Sequence, residues 1–420
     1  MTGGRRTTLR AAPLGPNATI GAASGALATT MVPVFLVGAL SPVIGTDLGF
    51  DEAATGVIVM SFYLTAAATA IPMGSLTERL GAGRAMRSGV FLSATGCAVT
   101  ASLVQSAWQL AVLMALLGVT LPLVDTGTAR AFATSVPMSR RGRAFGVKEA
   151  SVPMASLLAG LAVPLLAATV GWRLAFLGGV LVAPVIVLSL HLALPVDPRR
   201  SRPRVGPSIP LPSMGAEPDG ERDPGRPATS PRLRRPVRLL AVSFALAGAG
   251  AAAVVTFLVP TATANGMSGA RAGLTLAVAS GGGIVARLVA GTMADRAPAT
   301  LGPALVSAML AGAIGTAGLA MTPRGSAFVI ISVLTLTAGW GWTGLGFAAL
   351  TQATPQAPAT AAGAGILGLA VGGTLGPVLF GRLAVSGSYQ LGWTVISGLF
   401  LAGTICAFLG LRMDRFLAPD

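Results

Sequence analysis

Gly74-Ser75-Leu76-Thr77-Glu78-Arg79-Leu80-Gly81-Ala82-Gly83-Arg84 closes an apolar run of helix length with a short, charged turn. The pattern returns as Gly291-Thr292-Met293-Ala294-Asp295-Arg296, again at the end of an apolar run. From Gly74 to Gly291 is 217 residues. A repeat of that length in a chain of 420 divides it into two homologous halves.

Around these two turns the composition is that of a membrane protein. Hydrophobic residues make up 53% of the chain and charged ones 10%, whereas soluble domains carry roughly 25% charged residues. Fifty-six glycines fit the same picture, because glycine lets membrane helices approach closely. The net charge of +15 raises nucleic acid as a partner, but the arginines lie between apolar runs and form no continuous basic face. Cys97 and Cys406 fall inside apolar runs without metal-like spacing and read as small packing residues, so no metal site is expected.

A membrane span needs about 20 apolar residues. Twelve segments qualify: 20–44, 52–74, 85–105, 108–130, 144–168 and 172–194, then 237–259, 270–293, 300–321, 326–350, 360–384 and 389–411. The chain is therefore expected to be an all-α integral membrane protein. Its parts are an N-terminal tail (1–19), a six-helix bundle (20–196), a Pro- and Arg-rich linker (197–236), a second six-helix bundle (237–412) and a short C-terminal tail (413–420). Cytoplasmic loops collect Lys and Arg, and placing the N-terminus inside assigns 25 of the 29 basic residues to the cytoplasmic side. Outside remain Arg173, Arg271, Arg324 and Arg382, so both termini are expected in the cytoplasm. Trp108, Trp172 and Trp393 fall at the outer ends of spans, where indole rings prefer to sit. Gly171-Trp172 and Gly392-Trp393 form a second repeat, offset by 221 residues.

Twelve spans in two pseudo-symmetric halves, a long central loop and the opening stretch resemble the major facilitator superfamily of secondary transporters. That family's signature after the second span has the form G-x-L-x-D-R-x-G-R-K. Gly74, Leu76, Arg79 and Gly81 match it, Glu78 replaces the Asp, and Arg84 lies one position beyond the basic pair. The second copy matches at Gly291, Asp295 and Arg296. The resemblance implies a secondary active transporter in the cytoplasmic membrane. It would move a small organic solute by alternating access, coupled to protons or another ion, without a cofactor. A monomer is expected, and the direction of transport is unassigned. A multidrug or metabolite efflux antiporter is the alternative within the family, although the drug-antiporter Arg in span four is replaced by Met114. A polytopic enzyme would need clustered His and carboxylates, and His191 is the single histidine. A non-transporting sensor is the third possibility.

Three sets of residues carry the functional expectation. The carboxylates of Glu78 and Asp295 can each face the positive N-terminal end of a helix in the opposite half, the eleventh span for Glu78 and the fifth for Asp295, closing a cytoplasmic gate. The fuller first copy is expected to matter more. Asp125 and Lys148 lie at similar depth on antiparallel spans four and five and are expected to pair, with Arg130 and Glu149 nearer the headgroups. Arg287, two turns before Asp295, is expected to snorkel or support the motif. The resemblance further implies a central cavity, and Thr29, Thr30, Tyr63, Thr120, Ser151, Trp340 and Trp342 lie near mid-depth of the spans that would line it.

Overall fold

A computed structural model of the chain describes residues 15–137, 140–167, 169–194, 235–321, 324–352 and 358–417, and every regular element among them is helical. Most of the linker expected over 197–236, most of the N-terminal tail and the last residues of the C-terminal tail lie outside the described residues.

The first half contains α1 (Pro16–Leu48), α2 (Glu52–Leu80) and α3 (Ala82–Leu103). Its fourth span is divided between α4 (Ala107–Gly118) and α5 (Thr120–Ser135). The fifth is α6 (Arg141–Ala162) running into a π-turn at Val163–Ala167, and α7 (Trp172–Ala193) is the sixth. The second half repeats the plan with α8 (Arg235–Ala264), α9 (Gly269–Arg296), α10 (Leu301–Ala320), α11 (Gly325–Trp340) and α12 (Trp342–Gln352) sharing one span, α13 (Pro358–Ser386) and α14 (Tyr389–Leu417). Eleven of the twelve spans are long and apolar enough to cross a membrane. The remaining span, α3, is diluted by Arg84, Arg87 and several Ser and Thr, yet its 22 residues still extend about 33 Å at 1.5 Å per residue, enough for a bilayer core. An even number of spans puts both chain ends on one side, called here the terminal face; the other is the distal face.

Local chemistry explains the helix ends and breaks. Asp51 caps α2 by accepting from the Ala54 N–H at 2.9 Å. Between α2 and α3 a single residue, Gly81, turns the chain at φ +81°, a conformation that favours glycine. Pro122 has no N–H for the Gly118 carbonyl, and α4 gives way to α5 one residue past Gly118. Pro164 falls in the π-turn that ends the fifth span. The helices also outrun the apolar segments. Residues 75–80, expected as a turn, are helical, as are 413–417, expected as tail. Polar residues beyond the hydrocarbon simply continue the backbone ladder.

Both Gly-Trp repeats pin a span to its own half at the distal face. The Trp172 indole N–H donates to Asp47 Oδ2 at 3.0 Å, at the end of α1, and the Trp393 indole donates to Thr261 Oγ1 at 3.1 Å, near the end of α8. Arg173 completes the first site, 3.7 Å from Asp47 and stacked 4.4 Å from the Trp172 ring centre.

The halves meet along two seams. In the first, α6 and α9 run antiparallel in contact over their whole length. A Cβ added at Gly146 would lie 3.0 Å from Gly291 Cα, Pro153 faces Gly283, the Ser280 hydroxyl donates to Ser156 at 2.9 Å, and Gly160 abuts Gly273 and Ala277. These positions are spaced by one or two helical turns, so they share one face of each helix. The second seam joins α2 to α13 and is made only toward the distal face. There Gly56 packs on the Pro377 carbonyl, Gly381 on that of Glu52, and the Tyr389 hydroxyl donates to Glu52 Oε1 at 2.6 Å. At mid-depth Gly373 faces the Tyr63 ring. Toward the terminal face Ile71 is 84% exposed and a Cβ on Gly363 would meet nothing within 4 Å. The first seam is closed throughout and the second splays open over its terminal half.

Candidate functional site: a buried charge chain between the halves

Three ionic side chains sit on the two helices of the closed seam, and a fourth joins them from α5. Successive helix residues point about 100° apart, so neighbours Lys148 and Glu149 on α6 address different partners. Lys148 turns into its own half, with Nζ 2.7 Å from Asp125 Oδ1 on α5. Glu149 turns across the seam, with Oε2 3.6 Å from an Arg287 guanidinium nitrogen on α9. A Lys148 Nζ to Glu149 Oε1 contact of 3.4 Å joins the two pairs into one chain.

Arg287 is held on every side. Its Nε donates to the Trp340 carbonyl at 3.0 Å, a terminal N–H donates to the Glu149 backbone carbonyl, and its guanidinium lies 5.3 Å from the Trp340 ring centre. Thr343 adds a donor to Glu149 Oε2 at 3.4 Å. Exposure falls from 30% for the Asp125 side chain through 16% for Glu149 and 11% for Lys148 to 4% for Arg287. Two carboxylates and two cations cancel, which is what allows four charges to sit at this depth.

This arrangement corrects two expectations. Glu149 is not near the headgroups but bridges the halves, and Arg287 does not snorkel but is among the most buried charged side chains. The expected Asp125–Lys148 contact is made, while Arg130 is exposed beyond it. One signal for Arg287 was present in the sequence. Gly283, Arg287, Gly291 and Asp295 follow one another at intervals of four, so they share a helix face on which glycines one turn either side clear room for the guanidinium.

At the terminal face the same stripe ends in Asp295, which sits against the first turn of α6. Its Oδ2 accepts from the Arg143 backbone N–H at 3.1 Å and lies 3.8 Å from Arg143 Nε, and Asp295 closely abuts Gly142. A carboxylate at a helix N-terminus meets unpaired N–H groups and the positive end of the helix dipole. The first copy is different. Glu78, Arg79 and Arg84 are exposed, Gly74 approaches only Thr126 of its own half, and side chains at the start of α13, where Glu78 was expected to dock, lie outside the described residues. Among the described residues, the shorter second copy makes a contact between halves. Replacing Asp295 with Asn keeps an acceptor but removes the charge, which should weaken that contact by about 0.3–1 kcal/mol. Spin labels on Thr134→Cys and Thr300→Cys, one in each half, should report a broader, longer distance distribution in the Asp295→Asn protein; an unchanged distribution would assign the carboxylate no part in closing the terminal face.

The residues expected around a central cavity are packed away here. Thr30 and Thr120 are fully buried; the hydroxyls of Thr29, Thr30 and Ser151 donate to carbonyls of their own helices and that of Thr120 to the Leu117 carbonyl of α4 in the same span. Tyr63 lies at the point where the second seam begins to open. The two tryptophans are separated by the α11–α12 break: Trp340 covers Arg287, whereas Trp342 packs edge-on against Phe244 with ring centres 5.1 Å apart. The buried Trp342 indole N–H has no partner among the described residues.

Paired six-helix halves, seams between spans five and eight and between two and eleven, and a charge chain across one of them define a membrane transporter. The chain belongs to the Major Facilitator Superfamily, whose family model matches residues 19–372. Among solved structures it resembles a bacterial homolog of the human lysosomal transporter Spinster, captured in an inward-facing and occupied conformation. The match covers 96% of this chain and 98% of that one with a TM-score of 0.69, at 15% sequence identity. No curated protein matches the chain.

Proposed function

We propose that this protein is a proton-coupled secondary transporter of a small organic solute, with its terminal face in the cytoplasm, and that Asp125 and Glu149 carry the coupling proton. The observation that carries this reading is the neutral four-charge chain whose members come from both halves. In the closed seam each carboxylate is compensated. Parting the halves separates Glu149 from Arg287 and admits water to both, so a proton can replace the lost cation as Glu149's partner. Reclosure over a protonated carboxylate would bury one uncompensated positive charge, which disfavours that step until the proton leaves. Proton occupancy and conformation are thereby linked, as exchange requires. The Trp342 indole N–H, without a partner among the described residues, is a donor that could meet an acceptor group of a solute in the C-terminal half.

Asp125→Asn removes one of the two carboxylates and leaves Lys148 with Glu149 alone. In proteoliposomes with an imposed pH gradient, screened against a solute mixture, solute movement by the unmodified protein should follow the gradient and collapse with an uncoupler. In Asp125→Asn it should lose at least about tenfold of that pH-driven component, the scale of one 1.4 kcal/mol coupling. Movement that ignores the gradient and the uncoupler would sink the proton assignment.

A further inference from the structure

Three of the four arginines that break the charge asymmetry of the loops have no carboxylate partner among the described residues, since only Arg173 is paired with one. Two of the three, Arg271 and Arg324, line the same cavity of about 580 Å³ at the distal face, between the first turns of α9 and α11. That volume is within the range of small-molecule sites. Both helices lack an acidic residue in the first turn, and Arg324 is itself the N-cap of α11. Cations belong at helix C-termini, so two guanidinium groups at two helix N-termini repel the dipoles as well as each other unless an anion joins them.

The rest of the lining is two-sided. Ser326 brings a hydroxyl to the arginine end and Thr275 spends its own on the Arg271 carbonyl, while Leu274 and Val278, 45% and 59% exposed, continue the wall along the outward surface of α9. These two lie three and seven residues past Arg271, about 4.5 and 10 Å deeper along the helix axis, which is the depth of acyl chains below a headgroup. We infer that this cavity is a binding site for an anionic phospholipid of the distal leaflet, its phosphate held between Arg271 and Arg324 and its acyl chains lying along Leu274 and Val278. A soluble anion would satisfy the arginines but leave the apolar wall unused, and a zwitterionic lipid would bring its own cation toward them. Because α9 also carries Arg287 and Asp295, an occupied site would hold the distal end of the helix that forms half of the closed seam.

The test uses purified full-length protein in neutral detergent, depleted of lipid, with Tm read as lipid is returned. Phosphatidylglycerol should raise Tm by about 3 °C or more over an equal amount of phosphatidylcholine. That increment should vanish in the Arg271→Gln, Arg324→Gln double variant and in Ser326→Trp, which fills the cavity and leaves both arginines, and it should persist in Arg382→Gln, a distal arginine outside the cavity. An increment equal for both lipids, one that survives in the double variant or in Ser326→Trp, or one reproduced by inorganic phosphate alone would overturn the assignment. The readout is independent of transport, so the site and the coupling mechanism can fail separately.

Discussion

Replacing Arg287 with Ala should destabilise the folded protein by about 3 kcal/mol and abolish transport. The value falls at the low end of the 3–5 kcal/mol expected for breaking a buried pair, because Lys148 remains 3.4 Å from the orphaned Glu149. The cost comes from stranding a carboxylate rather than from the worth of the pair, which a second variant separates. Glu149→Gln combined with Arg287→Met removes both charges and should recover most of the lost stability while transport stays absent. Thermal melts and proteoliposome assays of the same preparations check both parts. If Arg287→Ala melts like the unmodified protein, the guanidinium is not compensating Glu149 and the charge chain has been wrongly assembled.

Gly146→Val should force the terminal end of the closed seam apart. A single Cβ there lies 3.0 Å from Gly291 Cα and 3.1 Å from the Arg287 carbonyl, all backbone that cannot turn aside. Overpacking costs about 1–3 kcal/mol, which shifts a two-state equilibrium by roughly 5–150-fold toward the parted arrangement. Gly363→Val is the matched control, since nothing stands within 4 Å of its Cβ. Labels on Thr134→Cys and Thr300→Cys should show a long-distance population in the first variant and the original distribution in the second. The same population in both would mean that the open half of the second seam is not open in the membrane.

The spans, their pairing into halves and the depth of Asp125 and Lys148 were legible because each depends on local hydropathy or on counting residues from a span end. What crosses between halves was harder to read. Glu149 and Arg287 are 138 positions apart, and no local pattern marks them as partners; only the four-residue stripe through Gly283, Gly291 and Asp295 shows which face of α9 is buried. The contact made by the second of the two repeated turns was hard to read for a related reason. Likeness to a consensus measures how well a turn is spelled, whereas a contact depends on where the opposite helix begins. Asp295 has the start of α6 directly beneath it, while exposed Glu78 ends the seam that splays. Depth alone does not say which way a side chain turns, and Thr29, Thr30, Thr120 and Ser151, expected around a cavity, each donate to a carbonyl in their own span.

The unequal seams also tie the protein to the mechanics of its bilayer. One seam is shut from face to face and the other gapes over half its length, so the gap is a wedge that meets one leaflet only. Closing it withdraws area from that leaflet and leaves the other unchanged. Lipids that crowd the hydrocarbon near the terminal face therefore push against the open wedge, and lipids that relieve that crowding let it stand. Lateral pressure in a single leaflet becomes an input to the conformational balance, set by membrane composition before any solute arrives.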